Sequence, residues 1–574
     1  MPRVGNPCPL ARSRLQVPYL RIELRWVVFS LPLVLHRLQP PDYHNTAALR
    51  PAAALDRGVT QTRTNSSEFK LKSSQSQTVF QLTYNYVRET ALLESTLALL
   101  EWDEYTGLPY HAAPNRADQV TFLSGLVHQR KTSRELGGWL NELSHSELAK
   151  NRNSEVGASI RGLKRDFDKN VQLPQDLVKR IAHAVTVGQQ IWSEAKPKND
   201  FASFLPHLTE IVQLRREEAA ILANGSSCKY DSLLDQYEED ALTDEVMEVF
   251  SELREQLVPL VQGLTQSGSG PDGKSIMGEF DIAKQKGFSH WVASQVGFEF
   301  DRGRLDETVH PFCTTLGPHD HRILTRYDAR SFSSGLYGTL HEAGHGMYEQ
   351  GLLPEWFGLP AGSAASLGVH ESQSRLWENM VGRSRAFWQW CLPHAQKWFP
   401  SLNHVSVDRI YADLNRVEAS LIRIEADEAT YNLHILLRFE LERELIDGNL
   451  KCEDLPQAWA DRYETYLGIR PANNSEGVMQ DVHWAAGLIG YFPTYTLGNI
   501  FAAQLMVAAE RELGDVSEMT GKGEFRPLLD WLRTNVHRHG RCYKPTELIA
   551  SAAGETLSSK PLLQYLENKL KPLY

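Results

Sequence analysis

The chain has 574 residues, 42% hydrophobic and 23% charged, the balance of a globular protein with a large core rather than of a fibrous or disordered one. Sixty Lys and Arg stand against 71 Asp and Glu, so the formal net charge is −11 and no electrostatic case exists for a nucleic-acid partner. Six scattered cysteines (Cys8, Cys228, Cys313, Cys391, Cys452, Cys542) without a C-x-x-C pair read as reduced thiols of an intracellular protein, and no apolar run approaches the ~20 residues that cross a bilayer.

Residues 1–78 differ from the rest. They carry many arginines (Arg3, Arg12, Arg14, Arg21, Arg25, Arg37, Arg50, Arg57, Arg63), few acids and a hydroxyl- and Gln-rich end from Thr60 to Thr78. This composition fits an organelle transit peptide or a disordered leader outside the folded body. The compartment is therefore expected to be intracellular, cytoplasmic or organellar. Val27–Leu35 starts too late for a signal-peptide core and contains Pro32.

From Phe80 onward the apolar spacing turns helical, with Leu82, Tyr86, Leu92, Leu93, Leu97 and Leu100 at three- and four-residue intervals. Further amphipathic stretches cover 117–147, 155–170, 174–196, 203–223 and 242–264. The acids Asp231, Asp235, Glu238, Glu239 and Asp240 before the last of these read as a solvated loop with helix-capping carboxylates, rather than a second metal site. Gln266-Ser-Gly-Ser-Gly-Pro-Asp-Gly-Lys274 is the clearest loop and separates a helical front half from the remainder. Between His310 and Asp328 the texture changes, and His321–Tyr327 has the residue types of a short strand. Such a strand could offer an exposed edge to an extended peptide. The stretches 373–464 and 497–572 are again mostly helical.

The chemistry concentrates in Gly338–Tyr348, which contains His341-Glu342-Ala343-Gly344-His345. Histidines four apart on a helix aim their imidazoles at one point, as two ligands of a Zn²⁺ ion must. Glu342 is then placed to take a proton from a water at the metal. Leu340 and Met347 suit a packed helix, whereas Gly344 and Gly346 each cost roughly 1 kcal/mol of helix propensity. An H-E-x-x-H run also arises by chance on a surface helix, so a third ligand is the test. Glu371, beside His370 in a segment with helical apolar spacing (Leu367, Leu376, Trp377, Met380), supplies it.

His341-Glu-Ala-Gly-His345 followed by His370-Glu-Ser-Gln373 resembles the carboxypeptidase Taq (M32) metallocarboxypeptidases. Further landmarks follow in the family's order: His310-Pro-Phe312, Asp320-His-Arg322, Ile424-Glu-Ala-Asp-Glu428 with Tyr431-Asn-Leu-His434, Gly477-Val-Met-Gln-Asp-Val-His-Trp484, and Gly490-Tyr-Phe-Pro-Thr-Tyr495. Leu100-Glu-Trp-Asp103 and Pro109 fit as well, so the resemblance runs from about residue 80 to the C-terminus.

The resemblance implies a mainly α fold over 79–574, zincin-like, with a deep groove and a small β element beside the metal helix. It further implies a homodimer, peptide substrates and broad specificity for the terminal residue. The expected metal is Zn²⁺, although Co²⁺ or Mn²⁺ suits the same ligands. The expected ligands are His341, His345 and Glu371, with Glu342 as general base. A His and a Tyr from the 477–495 block are implied to face the site; His483 and Tyr495 are the first choices, with Tyr491 as rival and substrate contact. A carboxypeptidase must grip a terminal carboxylate, which the planar fork of Arg matches. Arg322, Arg423 and Arg470 lie near family motifs, and the resemblance favours Arg423; Arg322 could instead hold its strand by pairing with Asp320. His310, Asp320, His370 and Gln373 are candidates to orient the ligand imidazoles.

Two departures bear on substrate preference. The family's D-x-R-x-T pattern reads Asp320-His-Arg322-Ile-Leu324, with Thr325 next door, and Asn473-Asn474 stands where an acid is common. A peptidyl-dipeptidase or oligopeptidase built on the same zinc site is the alternative enzyme. A non-catalytic helical scaffold would have lost Glu342 or a ligand, and all are present.

Overall fold

The computed structural model describes residues 75–574, apart from 224 and 226. The leader assigned to 1–78 lies outside the described residues except for its last four, which already belong to the first helix, Gln75–Thr106. Helices then follow one another with little interruption, as the apolar spacing predicts. The expected stretch 117–147 is two helices, Ala113–Lys131 and Arg134–Ser144. Ser133 breaks it by turning extended, and its side chain accepts the Leu136 N–H to cap the second helix. Leu136, Leu140 and Leu143, on one face, bury there. One apolar core runs from Trp192 to Leu570, and a smaller cluster joins the N-terminal helices to Trp356 and Leu359. Among the described residues no helix is long and apolar enough to cross a membrane, and the five described cysteines are all free.

The β element is larger than the sequence predicts. Strands β1 (Gly303–Glu307), β2 (Phe312–Gly317) and β3 (Asp320–Thr325) form one sheet in the order β1-β3-β2, with β1 parallel and β2 antiparallel to β3. The expected strand at 321–327 is therefore the central one. Both its edges are paired, which corrects the expectation that it could receive a substrate backbone. β1 escaped notice because Gly-Arg-Leu-Asp-Glu lacks the β-branched and aromatic residues that mark a strand. Cys313 and Ile323 are paired in register and buried in the main core, while Phe312 and Leu324 pack with Trp102 and Tyr105. Leu324, which stands at the family's hydroxyl position, is thus part of an apolar contact.

Three helices hold the centre of the molecule: Phe332–Gly351 (the histidine helix), Leu367–Arg375 (the glutamate helix) and Pro493–Leu513. The glycines that weaken the sequence case for the histidine helix have a packing reason. A Cβ on Gly344 would lie 2.6 Å from the Gln373 carbonyl oxygen and 2.6 Å from Ser374 Cα, so the two backbones touch. Gly498 on the third helix does the same from the other side, where a Cβ would sit 2.6 Å from Glu371 Cγ. The glutamate helix is thus clamped between two glycine faces. Gly344→Ala gains helix propensity but must push backbone atoms apart; the expected result is a loss of about 2 kcal/mol in urea unfolding of the metal-free protein. An unchanged or higher midpoint would show that the helices can separate freely.

The acidic cluster at 231–240 is not the solvated loop expected of it. Asp231 does cap, accepting the Thr243 N–H at 2.7 Å. Glu238 and Glu239, however, are buried. Glu238 accepts from Ser366 Oγ and the Gly368 N–H, so it seats the N-terminus of the glutamate helix. Asp235 binds Arg165 and Lys169, and Glu239 binds Arg541. Glu238 and Glu239 fasten the front half to the catalytic half, Asp235 ties together two parts of the front half, and these distant partners are what the local sequence could not reveal.

Candidate metal centre

The histidine helix and the glutamate helix bring His341, His345 and Glu371 together, with one ligand atom from each lying within 4.8 Å of the others. Glu371 Oε2 is 3.8 Å from His341 Nε2 and 3.6 Å from His345 Nε2, so both imidazoles present Nε2 to the common point. No other group of this kind is found among the described residues. Two imidazoles and one carboxylate are the donor set of a catalytic divalent-metal site with room for further ligands. Burial, reinforced by neighbouring His370, holds the His345 imidazole well below its ordinary pKa, in the neutral form that ligates. Burial alone would do the same to His341, but Glu371 and Glu378 outweigh it and raise its imidazole above the ordinary value.

Each ligand has a partner behind it. His341 Nδ1 meets Glu378 Oε2 at 2.9 Å, and His345 Nδ1 meets His370 Nδ1. Arg375 Nε donates to Glu371 Oε1 at 2.7 Å and its NH1 to Glu378 Oε2 at 3.2 Å, binding two elements of the site into one ion network. Despite burial, Arg375, His341 and Arg383 hold the Glu378 carboxyl far below the usual carboxylate range, so it is ionised. Glu378 lies in a π-helical turn, Leu376–Val381, that continues the glutamate helix. Sequence reasoning missed it, although it stands two turns beyond Glu371 on the same helical run. Glu378→Gln should weaken zinc binding by about 10- to 100-fold in a chelator competition; an unchanged affinity would reduce Glu378 to a bystander.

Of the other orienting candidates, His370 touches a ligand, His345. Gln373 Oε1 accepts from the His537 ring, Asp320 is tied to Arg322, and His310 is half-buried at the turn before β2. Glu342 is buried beside the ligands, and in the metal-free site burial pushes its carboxyl up to about 8, despite the charge of His341. A dication at the ligands opposes that shift and favours the ionised, proton-accepting form.

A second set of side chains joins the ligands through Arg375. Its guanidinium lies 4.5 Å over the Tyr431 ring, and the Tyr431 hydroxyl accepts from Arg423 NH1 at 3.2 Å. Arg423 also lies 5.2 Å from the Tyr495 ring, and Tyr495 Oη is 3.4 Å from His483 Nε2. Tyr495 is partly exposed, whereas Tyr491 is buried against Tyr237 and His483 as part of a wall. Tyr431, which connects these groups, lies in the Tyr431-Asn-Leu-His434 motif, where the sequence alone points to no role for it. Arg423 and Arg438 share one carboxylate: Asp481 Oδ1 accepts from Arg423 and Oδ2 from Arg438. Two guanidiniums on one carboxylate leave the trio with a net positive charge, and they hold Asp481 far below its usual range although burial opposes this.

Arg322 differs. It makes a one-to-one, two-pronged pair with Asp320 at 2.9 Å and lies 4.2 Å from the Trp102 ring, the strand-holding role named as its alternative. Arg470 pairs at the surface with Asp461 and Glu464, away from this constellation.

A helical body with two histidines on one helix, a glutamate on the next and a buried carboxylate beside them defines a metallopeptidase. A family model described as carboxypeptidase Taq (M32) metallopeptidase matches residues 83–570, and the chain belongs to that family; it is a metallocarboxypeptidase. It is 44% identical over 503 residues to thermostable carboxypeptidase 1 of Thermus thermophilus, covering 86% of this chain and 99% of that one. With carboxypeptidase 1 of Bacillus subtilis it shares 36% identity over 492 residues, covering 86% and 98%. Among solved structures, the M32 carboxypeptidase from Deinococcus radiodurans superposes with a TM-score of 0.84 at 39% identity, over 87% of this chain and 99% of that one. Trypanosoma cruzi metallocarboxypeptidase 1 does so with 0.83 at 33% identity, over 86% and 99%.

Proposed function

We propose that the enzyme is zinc-dependent and removes single residues from the free C-termini of peptides, with broad preference for the residue released. The observation that supports this reading best is one constellation holding both a His-His-Glu ligand set and a buried, net-positive arginine pair. The first is what peptide hydrolysis needs; the second is what a terminal carboxylate needs.

His341, His345 and Glu371 would hold the zinc, and Co²⁺ or Mn²⁺ would fit the same donors. When bound, the metal acts as a Lewis acid that polarises the scissile carbonyl and lowers the pKa of water. Glu342 takes the proton of the attacking water and returns it to the departing amine nitrogen. His483 and Tyr495 donate to the oxygen that gains charge as the carbonyl becomes tetrahedral. Arg423 receives the terminal carboxylate, with Asp481 fixing the guanidinium plane from behind. Arg322, already neutralised by Asp320, contributes by holding β3.

The test compares a peptide with a free C-terminus and its C-terminally amidated twin, before chelation, after chelation and after zinc is restored. Single residues should leave the free peptide only, and only with metal. Release of dipeptides would replace this reading with a peptidyl-dipeptidase. Cleavage that persists in excess chelator would remove the metal from the mechanism.

A further inference from the structure

We infer that Glu349 is a positioning residue for the metal centre, acting on His345 through His370. Nothing in the H-E-x-x-H pattern points to it. Glu349 stands one turn beyond His345 on the histidine helix, and both are buried or nearly so. Its Oε1 is 3.0 Å from His370 Nε2, and the other nitrogen of that ring, Nδ1, meets His345 Nδ1. The His370 side chain is 1% exposed, so water does not compete for either contact.

The contacts along this line fix how the rings sit. An ionised carboxylate only accepts, so the proton between Glu349 and His370 is on His370 Nε2. The other ring nitrogen, Nδ1, is the atom that meets His345 Nδ1, so a His370 ring held at Nε2 by Glu349 limits where the His345 ring can sit. His345 Nε2, on the far side of that ring, is the atom that faces Glu371. Glu349 thus fixes the orientation of His345 through an intervening ring. His341 gets the same result directly from Glu378.

The second oxygen of Glu349 is also held. Thr315 Oγ1 donates to Oε2 at 3.0 Å and contacts His321 Nδ1 at 3.0 Å. The hydroxyl has one proton and the carboxylate requires it, so His321 donates to the Thr315 oxygen. Thr315 is in β2 and His321 in β3, so the sheet beside the histidine helix fixes the carboxylate that fixes the imidazoles. This gives the β element a use that does not depend on substrate backbone pairing.

The inference rests on the ligand assignment above, and its test does not need peptide hydrolysis. Zinc affinity would be measured by competition with a chromogenic chelator for wild type, Glu349→Gln, His370→Phe, the double variant and Thr315→Val, each checked for folding by circular dichroism. Glu349→Gln and His370→Phe should each weaken zinc binding by about 10- to 100-fold. The double variant should be no weaker than the worse single one, because both changes break the same line. Thr315→Val, which removes only the outer hydrogen bond, should stay within about threefold.

If the two single losses multiply in the double variant, Glu349 acts on the site by another route and the relay is overturned. If both singles keep wild-type affinity, the dyad is only packing. Should Glu349→Gln fail to fold, His370→Phe still decides, since unaltered affinity there sinks the proposal by itself. A failure of the carboxypeptidase reading would instead appear as normal zinc affinities with the wrong peptide products.

Discussion

Glu342→Gln is expected to lower kcat on a free-C-terminus peptide by on the order of 10³-fold while leaving zinc affinity within about twofold of wild type. The two parts separate chemistry from ligation. Glu342 is not one of the three converging ligand atoms, so its loss removes no bond to metal. Gln has the same shape and fits the buried site, but it cannot take a proton from water and hand it to the leaving nitrogen. The carboxyl also has a signature in the metal-free protein. Its folded pKa, about 8, lies above the ordinary 4.5, so between those values the folded state holds a proton that the unfolded state has lost. Stability must then fall as pH rises through that window, with a slope of up to about 1.4 kcal/mol per pH unit, and Glu342→Gln should flatten it. A variant with near-normal kcat, or one that loses zinc along with activity, would assign Glu342 a different role.

The second large effect is expected at Arg423. Arg423→Met should cut kcat/KM for the free peptide by about 10²- to 10³-fold, the worth of two charge-assisted hydrogen bonds at about 1.5–2 kcal/mol each. The residual rate on the amidated twin should barely change, so discrimination between the two peptides collapses. Asp481 keeps Arg438 at 2.6 Å in this variant, and the buried carboxylate is not left without a cation. Loss of the net positive charge is therefore the main change. An equal drop on both peptides would mean that Arg423 supports the Tyr431–Tyr495 wall rather than the substrate's carboxylate. A full effect at Arg322→Met instead would move the anchor to β3.

Much of the site was legible because its chemistry is local. His341, Glu342 and His345 occupy one helical turn, and Glu371 follows in the next helix with its own apolar rhythm. The helices were legible for the same reason, since burial of one face repeats every three or four residues. What failed was what local rhythm cannot carry. β1 has too few apolar residues to read as a strand and exists because β3 lies beside it. Gly344 looks like a flaw until the Gln373 carbonyl is placed against it. The acids at 238 and 239 look solvated until Ser366, Gly368 and Arg541 surround them.

The sequence by itself determined the His341-Glu-Ala-Gly-His345 run and the helical body, because each is written in residues a few positions apart. Tertiary structure alone decided how the ligand set is held. Glu238 reaches Gly368 across 130 positions, Arg423 reaches Asp481 across 58 and Glu349 reaches His370 across 21. A buried charge is tolerated only where its partner arrives, and the distance along the chain to that partner leaves no periodic trace.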